Sequence, residues 1–303
     1  MITQLSSIAI LGPGGIGGFL AAAFEKVGFP VTCIAKSDRA QDIIKNGIHV
    51  ESPLWGVFTA HPRAVISLDR APSILFITTK ATSLEEAIMR IDPEIVRGAV
   101  IIPLLNGIEH MEILRKRFPG QVAAGTISIE SYESAPGRIV HATPFAKIRV
   151  AADEINLNAR LVDVAHVIAE TGMTAEIGTG EMQILWEKLV RLNGLALMTT
   201  RYKKPIGEIR ENAQMRNELS RLVNEGAAVA KREGAIIDVA HVLASIDQLQ
   251  PSQFSSLKRD IDQGKVSELD AIAGAIVRTA TSYHIACPMI DECIEAIRNN
   301  QDA

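Results

Sequence analysis

Ile8-Ala9-Ile10-Leu11-Gly12-Pro13-Gly14-Gly15-Ile16-Gly17 is the stretch on which the fold turns. An apolar run with two β-branched isoleucines passes directly into G-x-G-x-x-G, and residues 15–27 then read as a helix. In a strand–turn–helix unit each glycine has its own task. Gly12 permits the tight turn, Gly14 lets the backbone approach a pyrophosphate, and Gly17 lets the helix pack close to the sheet. The helix N-terminus offers unpaired N–H groups and a partial positive charge to a phosphate. Glycine-rich loops have other uses, and the context is what makes this one specific. Gly12, Pro13, Gly14, Gly15, Ile16 and Gly17 are therefore the candidate dinucleotide-binding loop.

Working outward, residues 7–11 and 31–35 read as strands, followed by candidates at 74–78, 100–103 and 122–129. These runs are almost wholly apolar, the pattern of strands buried on both faces, and helical stretches separate them. A parallel, doubly wound sheet of Rossmann type is expected. Pro136-Gly137 marks a turn between strands at 128–131 and 138–141, and residues 148–151 add an antiparallel strand. Near Gly178-Thr179-Gly180 the character changes. Helical spacing then dominates residues 182–200, 212–234, 240–249 and 268–284, punctuated by Pro205, Pro251 and Pro288. Two domains follow: 1–178 for the nucleotide and 179–303, all-helical, for substrate.

The end of the second strand bears on the cofactor. An NAD site usually places a carboxylate there for the ribose 2′-hydroxyl. Here the run is Ala35-Lys36-Ser37-Asp38-Arg39, and Lys36 is the residue best placed. An ammonium beside a serine favours a 2′-phosphate and hence NADPH, while Asp38 keeps NAD open.

Composition narrows the classes further. The 303 residues suffice for two domains, and a net charge of −4 gives no general attraction to nucleic acid or anionic membrane. Cys33, Cys287 and Cys293 form no paired framework and read as small core residues in a reducing compartment. Seven histidines, among them His141, His166 and His241, show no metal-ligand spacing, so no metal is expected. Residues 8–24 are apolar, but glycines interrupt them and residues 1–7 carry no Lys or Arg. They do not read as a signal peptide, and no run approaches a membrane span. A soluble, cytoplasmic protein is the expectation. The charges of residues 210–221 read as a solvated helix face.

Together these motifs resemble the ketopantoate reductase (2-dehydropantoate 2-reductase) family over essentially the whole chain. The resemblance is carried by Gly12 to Gly17, Thr78-Thr79-Lys80-Ala81, Leu105-Asn106-Gly107-Ile108 and Pro136-Gly137-Arg138-Ile139. In the second half it continues through Leu185-Trp186-Glu187-Lys188-Leu189, Pro205-Ile206-Gly207-Glu208-Ile209, Ser255-Ser256-Leu257 and Glu268-Leu269-Asp270. It implies a C-terminal domain of 6-phosphogluconate dehydrogenase C-terminal-like type and reduction of a small 2-oxo acid by NADPH. It further implies Lys188 as general acid and Glu268 as a site carboxylate associated with the cofactor. Lys80 and Asn106 are implied near the nicotinamide ribose, Ser131 as a backbone contact to the cofactor, and Ser256 as the holder of the substrate carboxylate. Asn106, Lys188, Gln253 and Ser256 form the implied substrate set.

The departures bear on substrate identity. Positions often asparagine in the family are Leu192, Ala196, Ile206 and Ala273, and Gln253 replaces another. Asn193 lies one residue beyond the expected position, turned about 100° from it on a regular helix. A paralogue with a more apolar pocket and a different 2-oxo acid or ketone is the reading, against drift around a retained substrate. Two alternatives stay open: a β-hydroxyacid or opine-type dehydrogenase, and a regulatory protein that binds NADPH without turnover. A homodimer is compatible with the architecture.

Overall fold

The computed structural model describes residues 7–300, which divide into two compact units. The first comprises residues up to Leu105 and His110–Ile184, the second Asn106–Glu109 and Leu185 onward.

In the first unit β1 (Ile8–Leu11) is fully buried and leads through the glycine loop into α1 (Gly15–Lys26). Then follow β2 (Val31–Ile34), α2 (Ser37–Asn46), β3 (Ile48–Ser52), β4 (Gly56–Ala60), β5 (Arg63–Val65) and β6 (Ile74–Ile77). A short 3-10 turn precedes α3 (Leu84–Ile88), and β7 is Val100–Pro103. The parallel sheet runs β5-β2-β1-β6-β7, with Ile8 opposite Val31 on one side and Ile74 on the other. Strand order reverses at β1, so the carboxyl ends of β1 and β6 form the switch point where such sheets take ligands.

The remainder of this unit is α4 (His110–Arg117), β8 (Ala124–Ser128), β9 (Ser131–Ala135), β10 (Arg138–His141), β11 (Lys147–Ala151), α5 (Ile155–Glu170) and β12 (Thr174–Ile177). Two further sheets result, β4-β3-β10-β9 and β12-β11-β8. α1 packs against strands of both the parallel sheet and the β3/β10 sheet. Double coverage explains why Phe19 through Phe24 are all buried and why its sequence shows little polar face.

Two strand expectations need correction. Residues 122–129 were expected in the parallel sheet, yet only Val122 bridges to Ile101, and β8 pairs antiparallel with β11. The strand before Pro136-Gly137 is β9, not 128–131, and it pairs with β10 across the turn at Gly137, φ 75°.

α6 (Glu181–Tyr202) carries the chain into the helical unit, followed by α7 (Ile206–Glu211), α8 (Ala213–Arg232), α9 (Val239–Asp247) and α10 (Ser256–Asp262). A π-helical turn, Asp270–Gly274, leads into α11 (Ala275–Ser282), and α12 is Pro288–Asn299. α8 is the hub, packed by α7, α9, α11 and α12. Its crossing with α6 is close because both helices present glycine there. A Cβ on Gly194 would lie 3.0 Å from Leu219, and one on Gly226 3.2 Å from Val190.

The face expected to be solvated at 210–221 is in part structural. Arg210 donates to the carbonyls of Ile246 and Leu249 at 3.1 and 2.9 Å, capping the end of α9. Arg216 forks onto Asp247 at 2.5 and 2.7 Å. Glu218 is buried and accepts from Tyr202 at 2.6 Å. A cation at a helix C-terminus satisfies carbonyls that the helix leaves unpaired. The three cysteines are free and buried. Among the described residues no helix is long and apolar enough to cross a membrane, and no cluster has the makings of a metal site.

Candidate active site

In the first unit the glycine loop is built as the chemistry of a dinucleotide cradle requires. Gly12 has φ 88°, and a Cβ there would meet Thr79 Cγ2 at 2.7 Å. A Cβ on Gly17 would meet the Gly12 carbonyl oxygen at 2.4 Å and Thr78 Oγ1 at 2.3 Å. Thr78 Oγ1 donates to the carbonyls of Leu11 and Gly12 at 3.0 and 2.9 Å, locking the turn to the end of β6. Ser131 Oγ donates to the Gly15 carbonyl at 2.9 Å, and a Cβ on Gly15 would lie 2.9 Å from the Ser131 carbonyl oxygen. Arg39 is partly buried, pairs with Asp42 and Glu133, and donates to the Pro13 carbonyl at 3.1 Å.

Gly14 is different. A Cβ there would meet nothing within 4 Å, so packing within the protein does not require glycine at this position. The open space lies where a pyrophosphate approaches, at the N-terminus of α1, whose cap residue Gly14 supplies no side-chain hydrogen bond. Beside the loop, Thr79 Oγ1 is buried with no hydrogen-bond partner among the described residues. An orphaned buried hydroxyl and a cradle that a methyl would fill both fit a bound dinucleotide. Ile16 is partly exposed in the first turn of α1, and Lys80 is partly exposed just past β6.

Lys36 stands at the end of β2 as the N-terminal flank of α2. Its ammonium meets the Glu86 carboxylate at 3.0 Å, with both side chains exposed. Lys36 holds the Glu86 carboxyl below its ordinary range, first by the hydrogen bond and then by charge.

In the helical unit three of the sequence candidates meet. Asn106 Nδ2 donates to Glu268 Oε2 at 2.9 Å. Glu268 is buried and interacts by charge with Lys188 on α6. Burial pushes the Lys188 ammonium down to about 8, against the upward pull of the Glu268 carboxylate and together with the Arg191 guanidinium. The segment 106–109 is pinned to this unit at three points. Besides Asn106, Gly107 adopts φ 82° and approaches so closely that a Cβ would lie 2.4 Å from the Ala271 carbonyl oxygen. Glu109 receives the Arg278 guanidinium at 2.7 and 2.8 Å.

Glu268 lies two residues before the π-helical turn, a local widening by one residue often found at functional sites. Gln253 and Ser256 are placed by other contacts. The Gln253 carbonyl accepts from Ile206 N at 3.0 Å, and Ser256 is an exposed first residue of α10. The serine that caps α10 is Ser255, whose Oγ accepts from Lys258 N at 3.2 Å and from Thr199 at 2.9 Å. Ala196, Ile206 and Ala273 are fully buried, and Asn193, on a regular stretch of α6, is buried with no partner for its amide among the described residues.

Sequence reasoning missed Thr79 and Arg39 beside the loop, and Arg191 beside Lys188. The last was within reach, because residues three apart share a helix face.

Comparison with known proteins adds to this geometry. The family model described as "Ketopantoate reductase PanE/ApbA" matches residues 8–153, and "Ketopantoate reductase PanE/ApbA C terminal" matches residues 181–301. An uncharacterized oxidoreductase of Bacillus subtilis (strain 168) is 29% identical over 93% of this chain and 94% of its own length. The 2-dehydropantoate 2-reductase of Caulobacter vibrioides (strain ATCC 19089 / CIP 103742 / CB 15) is 28% identical over 94% and 95%. Among solved structures, D-mandelate dehydrogenase in ternary complex with NADH and anilino(oxo)acetate superposes with a TM-score of 0.90. It is 21% identical and covers 98% of both chains, a likeness of fold.

Proposed function

This chain belongs to the ketopantoate reductase family, and we propose that it is an NADPH-dependent reductase of a 2-oxo acid, with residues 1–178 for the cofactor and 179–303 for substrate. The observation that carries the proposal is the cluster Asn106–Glu268–Lys188, with its ammonium held at about 8.

When bound, the nicotinamide dinucleotide supplies a hydride to the carbonyl carbon. The chain's own residues handle the charge that develops. Lys188 donates a hydrogen bond and then a proton to the carbonyl oxygen. An amine near 8 is mostly protonated at neutral pH yet gives up its proton more readily than an ordinary lysine. Glu268 keeps the ammonium charged, and Asn106 fixes that carboxylate. Gly12 to Gly17, Lys80 and Ser131 make up the cofactor cradle. Gln253 and Ser256 join the substrate set as the family resemblance implies. Leu192, Ala196, Ile206 and Ala273 favour a substrate with a more apolar side group than pantoate carries, since a buried unpaired hydroxyl costs on the order of 1–3 kcal/mol. Steady-state kinetics on a panel of 2-oxo acids tests this. The altered-substrate reading fails if ketopantoate gives the highest kcat/KM by a wide margin, and the reductase reading fails if no 2-oxo acid is reduced.

For the cofactor, Lys36 supports a 2′-phosphate. A second reading, NADH, has its own support in the Lys36–Glu86 pair, because the carboxylate already engages the ammonium. Glu86→Gln separates them. We expect it to lower KM for NADPH by roughly 2- to 5-fold, the scale of releasing an exposed ion pair, with KM for NADH unchanged. Equal effects on both nucleotides would remove Lys36 from the phosphate site.

A further inference from the structure

Arg191 lies three residues beyond Lys188 on α6, so the two side chains share one face, with an axial rise of about 4.5 Å between them. It is only partly exposed. Among the described residues no carboxylate, carbonyl or other acceptor engages its guanidinium, and burial alone holds it below the ordinary arginine range. That is unusual for this side chain. Elsewhere in the same unit, Arg201, Arg210, Arg216 and Arg278 each have an acidic or carbonyl partner.

Arg191 thus places a second positive charge beside Lys188. Lys188 and Arg191 carry one positive charge each, and Glu268 is the acid whose charge acts on Lys188. Two like charges one helical turn apart repel, and a poorly hydrated cation without a partner is costly. A ligand that brings one negative charge to this face removes both penalties. A guanidinium meets a carboxylate through two parallel N–H···O bonds, a geometry that fixes orientation as well as charge. A 2-oxo acid carries its carboxylate on the carbon next to the carbonyl. With that carbonyl oxygen on Lys188, the carboxylate falls one short step away, on the scale of the rise between the two residues.

We infer that Arg191 anchors the substrate carboxylate and restricts this chain to 2-oxo acids, excluding ketones that lack the acid group. The inference rests on the reductase reading and deepens it. It takes from Ser256 the charged part of carboxylate recognition, since a hydroxyl supplies one hydrogen bond and no charge.

The test compares Arg191→Met with wild type on the best 2-oxo acid found and on its primary amide of identical side chain. The expected result is a rise in KM for the acid of roughly 10- to 100-fold, the scale of losing a charge-assisted pair, with the amide little changed. Lys188 should also titrate higher once the neighbouring cation is gone, so the alkaline limb of activity moves up in pH. Arg191→Lys should recover part of the acid's affinity. Equal losses on acid and amide, or no loss on either, would overturn the inference. Because methionine removes a half-buried charge without a partner among the described residues, the variant is expected to fold with an unchanged or higher Tm. A binding measurement separates this inference from the reductase reading. Oxamate titrated into the NADPH-loaded protein should bind wild type and lose affinity in Arg191→Met even if no turnover is found. Failure of wild type to bind oxamate or any 2-oxo acid would defeat the anchor itself.

Discussion

Lys188→Ala is expected to lower kcat for ketone reduction by about 100- to 10,000-fold, the range for losing a positioned general acid. Nucleotide affinity should stay near wild type, because the glycine loop and Thr79 belong to the first unit. The pH profile gives a sharper test. Reduction requires the ammonium, so in wild type kcat/KM should hold below about 8 and fall as pH rises through it. In Lys188→Ala that limb should vanish. In Glu268→Gln the charge that pulls Lys188 upward is gone, so the limb should move below its wild-type position. Stopped-flow and steady-state assays from pH 6 to 10 would read all three. A Lys188→Ala enzyme retaining a tenth of wild-type kcat would sink the assignment, as would a wild-type profile flat through pH 9. A regulatory protein without turnover would show no such limb in any variant.

The second large effect contrasts two glycines only three residues apart. Gly17→Ala places a methyl 2.4 Å from a backbone carbonyl that cannot move without unmaking the turn. Overpacking of this kind costs about 1–3 kcal/mol or more, and the first unit should lose several degrees of Tm. Gly14→Ala meets no protein atom within 4 Å, and its Tm should match wild type. Yet its methyl enters the space a pyrophosphate needs, so nucleotide Kd should rise at least 10-fold, about 1.4 kcal/mol. Calorimetry and nucleotide titration on both variants decide it. If Gly14→Ala binds NADPH normally, the loop is a structural turn and the cofactor reading loses its main support.

How much of this was legible beforehand follows from how local each signal is. The unit from β1 to α1 is dictated by neighbours in sequence, so strand, turn and helix were readable in order. So were the buried strands β2, β6 and β7, whose apolar runs are covered on both faces. β3, β4 and β12 were missed because they are short and exposed on one or both faces. β12 is Thr-Ala-Glu-Ile, with two residues in solvent before Ile177, itself exposed. β8 was seen as a strand, but its partner β11 is set by tertiary packing that no apolar count reports. Residues 268–284 carried a helical pattern, yet a pattern of apolar spacing does not register one extra residue at 270–274. Arg210 read as a solvated charge because its partners, the carbonyls at the end of α9, lie almost forty residues on.

At the site, Lys188, Glu268 and Asn106 were named through family resemblance, and the structure brings those three together. Nothing in the composition would have singled out one lysine on a long helix. Arg191 went unremarked because its significance is relational: a cation matters there only once its neighbour is known and its lack of a counterion is seen.

The widened turn at 270–274 has a consequence for how this chain tolerates changes of length. Deleting any one of those five residues would let the segment close as an ordinary α-helix, shifting the phase of everything before it by roughly 100°. Glu268 would then rotate off the bearing that serves Lys188, and Gly107 would lose the carbonyl it nestles against. A single surplus residue, invisible to composition, thus works as an alignment shim, and losing one residue within it should disturb the site more than a point change beside it.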